Sequence, residues 1–202
     1  MKTNTTKIIG YHGTCSRHAE SIAKHGFDPA LVRFRNDHWL GQGVYFFSQP
    51  DLAMWWASDI SGKSYNKGSF PIVYQVNIEA DSKEILDLDN YQEYDQFMTD
   101  ILEIQKEIEE NIKEQVPIFS QPQFRAVYFD YYKQIYGISV IIFTFSKDCT
   151  RYGTFRSPDK LERQKKLAKA LGLSYHEKQI CVSKKECIKD VTIIYNGEDE
   201  VI

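Results

Sequence analysis

A histidine followed by two small residues stands near the amino terminus, in Tyr11-His12-Gly13-Thr14, where a short strand is expected to end. Neutral imidazole offers one hydrogen-bond donor and one acceptor, which suits a sugar hydroxyl. Gly13 lets a ligand amide approach the backbone N–H and C=O closely. A histidine at such a place, with its ring at the sheet edge, also caps turns through nearby backbone groups. The residue types therefore predict either a sugar-binding group or a capping histidine.

A second candidate lies in the segment 40–46, which reads LGQGVYF. The glycines at 41 and 43 permit close backbone packing beside a groove, and Tyr45 then has a ring to stack on a planar ligand. Trp55 and Trp56 follow on a predicted helix and offer a second aromatic wall. A tyrosine in a strand is also an ordinary core residue, so both interpretations stay open here.

The third candidate is a polar pair, Glu177 and Gln179, which enters a strand near the carboxyl terminus. Alternate residues of a strand share a face, so the two side chains are expected to lie side by side. A polar group held there can stabilise a sugar carbon that becomes cationic as its leaving group departs. A solvated strand edge is the alternative interpretation.

Short strands and helices alternate along the chain, which is typical of an α+β domain. Apolar or alternating runs predict strands over residues 7–11, 43–47, 70–78, 138–145, 179–182 and 191–195. Helical spacing and end signals predict helices over residues 16–25, 50–60, 91–116, 124–136 and 157–171. Ser16 is expected to cap the first helix, Gly26 to end it and Pro117 to end the third. We expect a single domain over residues 1–202, with a helical insertion at about 90–136.

The composition is that of an ordinary globular protein, with 42% hydrophobic residues, 26% charged residues and a formal net charge of −3. That charge creates no global attraction to nucleic acid. The chain has no run of 18 apolar residues and starts without the apolar core of a secretion signal, so we expect a cytoplasmic protein without a membrane partner. The four cysteines have no zinc spacing, so we expect half-buried thiols and no metal. Cys15 lies close to His12, but no third residue that would orient a Cys–His nucleophile is visible.

The three candidate places together resemble the ADP-ribosyltransferase superfamily, and most closely its diphtheria-toxin-like branch, which includes the poly(ADP-ribose) polymerases. His-Gly-Thr on an early strand, then Gly-x-Gly-Val-Tyr-Phe, then a C-terminal polar-Ile-x-Val strand carry the resemblance. The matched segments are roughly 8–27, 38–57 and 173–195, which is under half of the chain. The resemblance implies an α+β fold with split antiparallel sheets around an NAD cleft, with NAD as a co-substrate.

The resemblance also implies a role for each matched residue. His12 is expected to bind the adenosine ribose, and the Gly13 backbone to bind the nicotinamide amide. Tyr45 is expected to stack on the nicotinamide, Trp56 to form the second aromatic wall and Gly43 to border the cofactor groove. His12, Tyr45 and a third polar residue would be the catalytic set.

A loop at residues 28–38 aligns with the segment that covers NAD in the family. Arg33 and Arg35 lie in it, and the planar fork of arginine suits a pyrophosphate. Both are therefore expected to bind the cofactor.

This sequence departs from the family pattern at two positions. Ala53 stands where the polymerases have a serine that holds the nicotinamide amide, and Thr14 or Ser48 is the expected replacement. Gln179 stands where the family has its catalytic glutamate, and Glu177 is the carboxylate that a shifted register would supply. Glutamine carries no charge, so the resemblance implies mono-ADP-ribosyl transfer rather than polymer elongation.

The acceptor is expected to be a macromolecule, either a nucleic acid such as RNA or a protein. Residues 124–136, with Arg125 and Lys133, and the basic stretch Arg163–Lys169 are candidates for gripping a nucleic-acid strand, or else for core packing and a solvated helix face. The size of the chain and the resemblance together suggest a bacterial toxin or an anti-phage effector, with an antitoxin or immunity protein as a partner.

Other functional classes remain alternatives at this point. A catalytically inactive NAD- or ADP-ribose-binding module is favoured by Gln179. An RNA 2′-phosphotransferase needs an arginine cluster that this chain shows poorly, and a metal-dependent nuclease toxin would act without NAD.

Overall fold

The structure is a computed structural model, and it describes residues 4–35, 38–113, 121–147 and 158–200. The described residues form an α+β fold with a seven-stranded mixed sheet and five α-helices. The strands are β1 Thr5–Cys15, β2 Val44–Phe47, β3 Pro71–Asp81, β4 Ile85–Asp87, β5 Val140–Lys147, β6 Tyr175–Val182 and β7 Ile188–Asn196. The helices are α1 Ala19–His25, α2 Pro50–Ser61, α3 Tyr91–Lys113, α4 Gln121–Tyr136 and α5 Pro158–Ala170.

The strand order is β4-β5-β6-β2-β1-β3-β7. β4 and β5 are parallel, and the other neighbouring strands are antiparallel. The longest ladder joins β1 to β3, from the pair Thr5 and Asp81 to the pair Cys15 and Pro71. β1 therefore lies in the interior of the sheet, and the expectation that His12 sits at a sheet edge is wrong.

Backbone pairing is sparse at the centre of the sheet, between β1 and β2. β1 and β2 share one residue pair, Tyr11 with Phe47, although both strands pair extensively with their other neighbours. The expected split sheets are thus one continuous mixed sheet with this single-pair junction. Beyond the junction no further ladder pair joins the described residues of the two strands, and the His12 side chain bonds the Tyr45 carbonyl of β2.

Three clusters of buried side chains cover the two faces of the sheet. One face carries Phe46, Val76, Val140 and their neighbours. The opposite face is divided between a cluster under α3 and α4, which includes Phe97, Phe129, Ile141 and Cys181, and a cluster under α2, which includes Leu52, Ala53 and Val73. The helical insertion is therefore packed on the sheet around a shared apolar core, and burial of that surface stabilises both.

Periodicity predicted most elements, with limited errors. Ser16 does not cap the first helix, because its hydroxyl accepts a hydrogen bond from the Phe70 N–H. The three-residue strand β4 has no sequence signal of its own and was not anticipated. Gly26 does end α1, with a φ of 67°. The predicted helix end at Pro117 and the predicted helix start at Ser157 lie outside the described residues.

Among the helices in the described part of the chain, none has the length and apolar character needed to cross a bilayer.

Candidate functional site

A cavity of about 340 Å³ opens where β1 and β2 separate. His12, Tyr45 and Gln179 all line it, although they come from strands β1, β2 and β6. His12 packs near Phe46 on one face of the sheet, whereas Tyr45 belongs to the cluster on the other face. They meet in one cavity because the gap between the strands is open to both faces. Its volume lies at the lower end of the range for small-molecule sites.

The neutral form of His12 has a defined tautomer. Its Nδ1 lies 2.8 Å from the carbonyl oxygen of Tyr45, which only accepts, so Nδ1 carries the hydrogen and donates it. Nε2 is then the acceptor of the ring. Burial lowers the pKa of His12 below its ordinary value, against the opposing effect of the Tyr45 carbonyl. The ring of Phe27, 4.7 Å away between centroids, completes its packing.

The Tyr45 side chain is fixed through its hydroxyl. The hydroxyl donates to the Gly41 carbonyl at 2.7 Å and accepts from the Leu40 N–H at 2.7 Å. Burial raises the pKa of Tyr45, so the phenol stays protonated and can keep both bonds. The ring is held as a half-buried planar surface in the cavity wall, which is the geometry that stacking requires.

The two residues of the third candidate position, Glu177 and Gln179, lie at different depths in the protein. Gln179 lines the cavity, opposite Phe47 in the β2–β6 ladder. Glu177 is fully buried behind it and does not line the cavity. The Gln179 side-chain N–H donates to Glu177 Oε1. The carboxylate therefore orients the amide, and the amide oxygen of Gln179 is the acceptor that this side chain offers to the cavity.

Both glycines of the expected cofactor groove line the cavity, but each is also required by packing. A Cβ on Gly13 would lie 1.8 Å from the Ala53 carbonyl oxygen of α2. A Cβ on Gly43 would lie 2.6 Å from Cys181 Sγ and 2.6 Å from the Val182 carbonyl oxygen. Their small size thus permits helix–strand and strand–strand contact beside the cavity.

The remaining predicted cofactor residues are placed unequally. Arg35 and Trp56 line the cavity, whereas Arg33 is exposed and does not. Thr14 is 6% exposed and pairs with Ile72 in the ladder, away from the cavity lining.

Ala53, the residue in place of the polymerase serine, is fully buried under β1. Neither Ala53 nor Ser48 lines the cavity. The amide contact expected at this position of the family therefore has no counterpart at 53, 14 or 48 among the lining residues.

Sequence reasoning missed several aromatic residues of the wall, among them His38 and Trp39. The His38 ring lies 5.3 Å from the Tyr45 ring, at an interplanar angle of 55°. The signal that was available is a His-Trp pair at the end of a polar loop, immediately before Gly41-Gln42-Gly43. Adjacent aromatic residues leading into a glycine-rich strand entry favour a ligand wall.

Two of the residues considered for gripping a nucleic acid are engaged inside the protein. The Arg125 guanidinium lies 4.9 Å from the Trp39 ring centroid and 5.4 Å from that of Phe145. Lys133 is 8% exposed and donates to the Gln42 carbonyl. Packing of the insertion on the sheet is thus the observed role of both. In the stretch Arg163–Lys169, the basic side chains that the structure describes are exposed.

The cysteines in the described ranges, Cys15, Cys181 and Cys187, are free and buried more deeply than expected, at 0%, 0% and 4% exposure. Burial raises the pKa of Cys181 and Cys187, so both remain thiols. The same ranges contain no group of three or more His, Cys, Asp or Glu side chains arranged to hold a metal ion. Cys149 lies outside them.

No protein-family model matches the chain, and neither a curated protein nor a solved structure matches it.

Proposed function

We propose that this protein is a mono-ADP-ribosyltransferase that cleaves NAD, releases nicotinamide and transfers ADP-ribose to a macromolecule. One observation carries the proposal. His12, Tyr45 and Gln179, which the family resemblance selected from three separate segments, line one cavity with Trp56 and Arg35. Residues far apart in sequence that converge on a cavity with complementary polar groups are typical of a binding site.

The wall residues match the parts of the dinucleotide. Tyr45 and Trp56 present planar surfaces for the nicotinamide ring. His12 presents Nε2 as an acceptor for a ribose hydroxyl, because Nδ1 is occupied by the Tyr45 carbonyl. Arg35, exposed at the cavity margin, has the planar fork that binds a pyrophosphate bidentately. These four residues bind and orient the co-substrate.

In the reaction, the bond between ribose C1′ and the nicotinamide nitrogen breaks, and nicotinamide leaves with the electron pair. Positive charge then develops at C1′, and the acceptor's nucleophile forms the new bond there and loses its proton. The Gln179 amide oxygen stabilises that charge through a hydroxyl of the same sugar. Glu177 acts behind it, because its hydrogen bond orients the amide. Gln179, the residue of the pair that faces the cavity, is uncharged, which suits the transfer of a single ADP-ribose unit rather than polymer elongation.

A second candidate is an NAD- or ADP-ribose-binding module without catalysis. The composition of the cavity lining favours this candidate. Among the described residues that line the cavity, none is Asp or Glu, and Glu177, which contacts the lining residue Gln179, is fully buried. Such a module would bind NAD at the same walls and leave it intact.

The first experiment is a release assay with NAD labelled in the nicotinamide ring, incubated with protein and whole-cell lysate. We expect labelled nicotinamide from the wild type and less than about a tenth of that rate from Tyr45→Ala, because one aromatic wall contributes on the order of 1–2 kcal/mol. Tyr65→Ala is the matched control, since Tyr65 is 67% exposed and does not line the cavity.

Retained activity in Tyr45→Ala would refute the site. NAD binding without nicotinamide release in any lysate would replace the enzyme by the binding module. For an active enzyme, adenylate-labelled NAD followed by protease or nuclease digestion identifies the acceptor as protein or nucleic acid. The bacterial toxin or anti-phage setting, with an antitoxin partner, belongs to the same proposal and rests on the resemblance.

A further inference from the structure

The peptide of Gln42 is held by side chains of the helical insertion. Its N–H donates to Asp130 Oδ1 at 2.6 Å, and its carbonyl accepts from Lys133 Nζ at 2.8 Å. Lys133 also contacts Asp130 Oδ1 at 3.3 Å. Asp130 and Lys133 are three residues apart on α4 and so share one face of that helix. Both hydrogen-bonding groups of one loop residue are thus bound by a single helix turn, which we name the α4 clamp.

The clamp includes a buried ammonium. Lys133 is 8% exposed, and burying such a charge costs free energy unless it is paired. Its third contact, Cys181 Sγ at 3.6 Å, is a neutral thiol and cannot balance the charge. Replacing a whole buried ion pair by apolar residues of similar volume is often neutral or stabilising, so the pair of Lys133 with Asp130 is weak evidence for a role in core stability. The position of Gln42, rather than core stability, is what this lysine specifies.

The loop that the clamp holds is a wall of the cavity. His38, Trp39 and Gly43 line the cavity on either side of the clamped residue. The Tyr45 hydroxyl holds the same loop from the sheet through Leu40 and Gly41. The loop therefore has two supports, one in β2 and one in α4.

The fit between loop and helix is close. Gly41 has a φ of 75°, and a Cβ there would lie 2.2 Å from Asp130 Oδ1. Arg125, five residues before Asp130 on α4, packs over Trp39. The contacts between α4 and the loop therefore extend from residue 39 to residue 42.

We infer that Asp130 and Lys133 are positioning residues for the cavity: α4 sets the place of the wall at residues 38–43 and thereby the affinity of the site for its ligand. The inference rests on the proposed function for the identity of that ligand, NAD. The mechanical part, that α4 holds the wall, is independent of it.

The test combines backbone hydrogen exchange with NAD kinetics in the full chain. Asp130→Asn replaces the charged acceptor of the Gln42 N–H by a weaker neutral one and removes the ion pair, and Lys133→Met removes the donor to the Gln42 carbonyl at similar volume. Asp95→Asn is the control, because Asp95 is exposed on the neighbouring helix α3. We expect both clamp variants to exchange the amides of residues 38–45 at least about tenfold faster, with β1 and β3 unchanged. We also expect KM for NAD to rise about tenfold, with kcat within about threefold.

Unchanged exchange over 38–45 in folded Asp130→Asn would overturn the inference, and so would faster exchange with an unaltered KM. If the wild type does not consume NAD, the proposed function fails, and exchange alone then decides whether α4 holds the wall. Lys133→Arg keeps a donor for the Gln42 carbonyl, so its amides at residues 38–45 should exchange more slowly than those of Lys133→Met. A loss of folding in Lys133→Met leaves Asp130→Asn as the deciding variant.

Discussion

The Tyr45 carbonyl determines which nitrogen of His12 carries the proton. Nδ1 donates its hydrogen to that carbonyl, so the neutral ring has a fixed orientation and carries no proton at Nε2. Protonation of Nε2 would place a charge in a buried position, and burial accordingly lowers the pKa of His12. The neutral ring that the proposed ribose contact requires is thus the state that folding favours.

A pH dependence of stability follows from this. The unfolded chain takes up a proton on His12 below pH of about 6.5, whereas the folded protein resists it until its lowered pKa is reached. We expect the free energy of unfolding to fall by roughly 1 kcal/mol per pH unit in that window as pH decreases. Urea unfolding between pH 7 and pH 5.5 measures it. His12→Gln should flatten this slope, and His25→Gln, at an exposed histidine, should not.

The pairing of Gln179 with Glu177 makes a glutamate at 179 unfavourable here. Gln179→Glu would place a second carboxylate beside a fully buried one, and two such groups cannot both ionise at low cost. We expect a loss of about 2 kcal/mol of stability at pH 7.5 that shrinks towards pH 5, read from thermal unfolding. Gln134→Glu, on the exposed face of α4, is the control. A pH-independent effect would contradict the proposed contact.

At the scale of elements, the contact of α2 with β1 depends on one missing side chain. Gly13 brings the strand against the helix backbone, with Ala53 and Ala57 as its nearest neighbours. This contact fixes the strand that carries His12. The glycine is therefore needed for packing even before any ligand approaches it.

Gly13→Ala is expected to destabilise the protein by about 3 kcal/mol, because the new Cβ would lie 1.8 Å from a carbonyl oxygen of the helix. Gly62→Ala, at the end of the same helix, meets its nearest atom at 3.4 Å and should change stability by less than about 1 kcal/mol. Denaturant unfolding of the two variants makes the comparison. Equal effects would show that the helix moves away without cost.

Sequence patterns predicted what depends on local periodicity. The strands of His12 and Tyr45 and the amphipathic helix α3 have clear apolar spacing, so their places follow from the chain alone. The three-residue strand β4 is too short to carry a period, and its parallel pairing with β5 exists because the chain returns after the whole insertion. Long-range packing decides such elements.

The same distinction applies to the site. Residue chemistry together with the family resemblance selected His12 and Tyr45, and the resemblance alone pointed to Gln179; all three line the cavity. Neither was enough to place Glu177 behind Gln179, because the depth of a residue depends on the strands around it. The roles of Asp130 and Lys133 were also invisible, since a pair three residues apart on a helix resembles an ordinary surface ion pair.

At the scale of the whole molecule, the charge distribution bears on the acceptor. The formal net charge is −3, and Arg125 and Lys133 are occupied with internal contacts. Arg163, Lys165, Lys166 and Lys169 on α5 remain as an exposed basic face in the described part of the chain. Of the two segments considered for gripping a nucleic acid, α5 is thus the one whose described basic side chains are exposed, and binding there would weaken with salt.

The single-pair junction between β1 and β2 bears on how the two halves of the sheet are held together. Within each of the groups β4-β5-β6-β2 and β1-β3-β7, neighbouring strands share several ladder pairs, whereas the single ladder pair of Tyr11 and Phe47 joins one group to the other. Rotating one half against the other would disturb this ladder pair, the His12 side-chain bond and the core cluster that contains Phe46 of β2 and Val76 of β3. The two halves are therefore held together more by side-chain packing than by backbone pairing, and a ligand bound between His12 and Tyr45 would add a further contact across the gap.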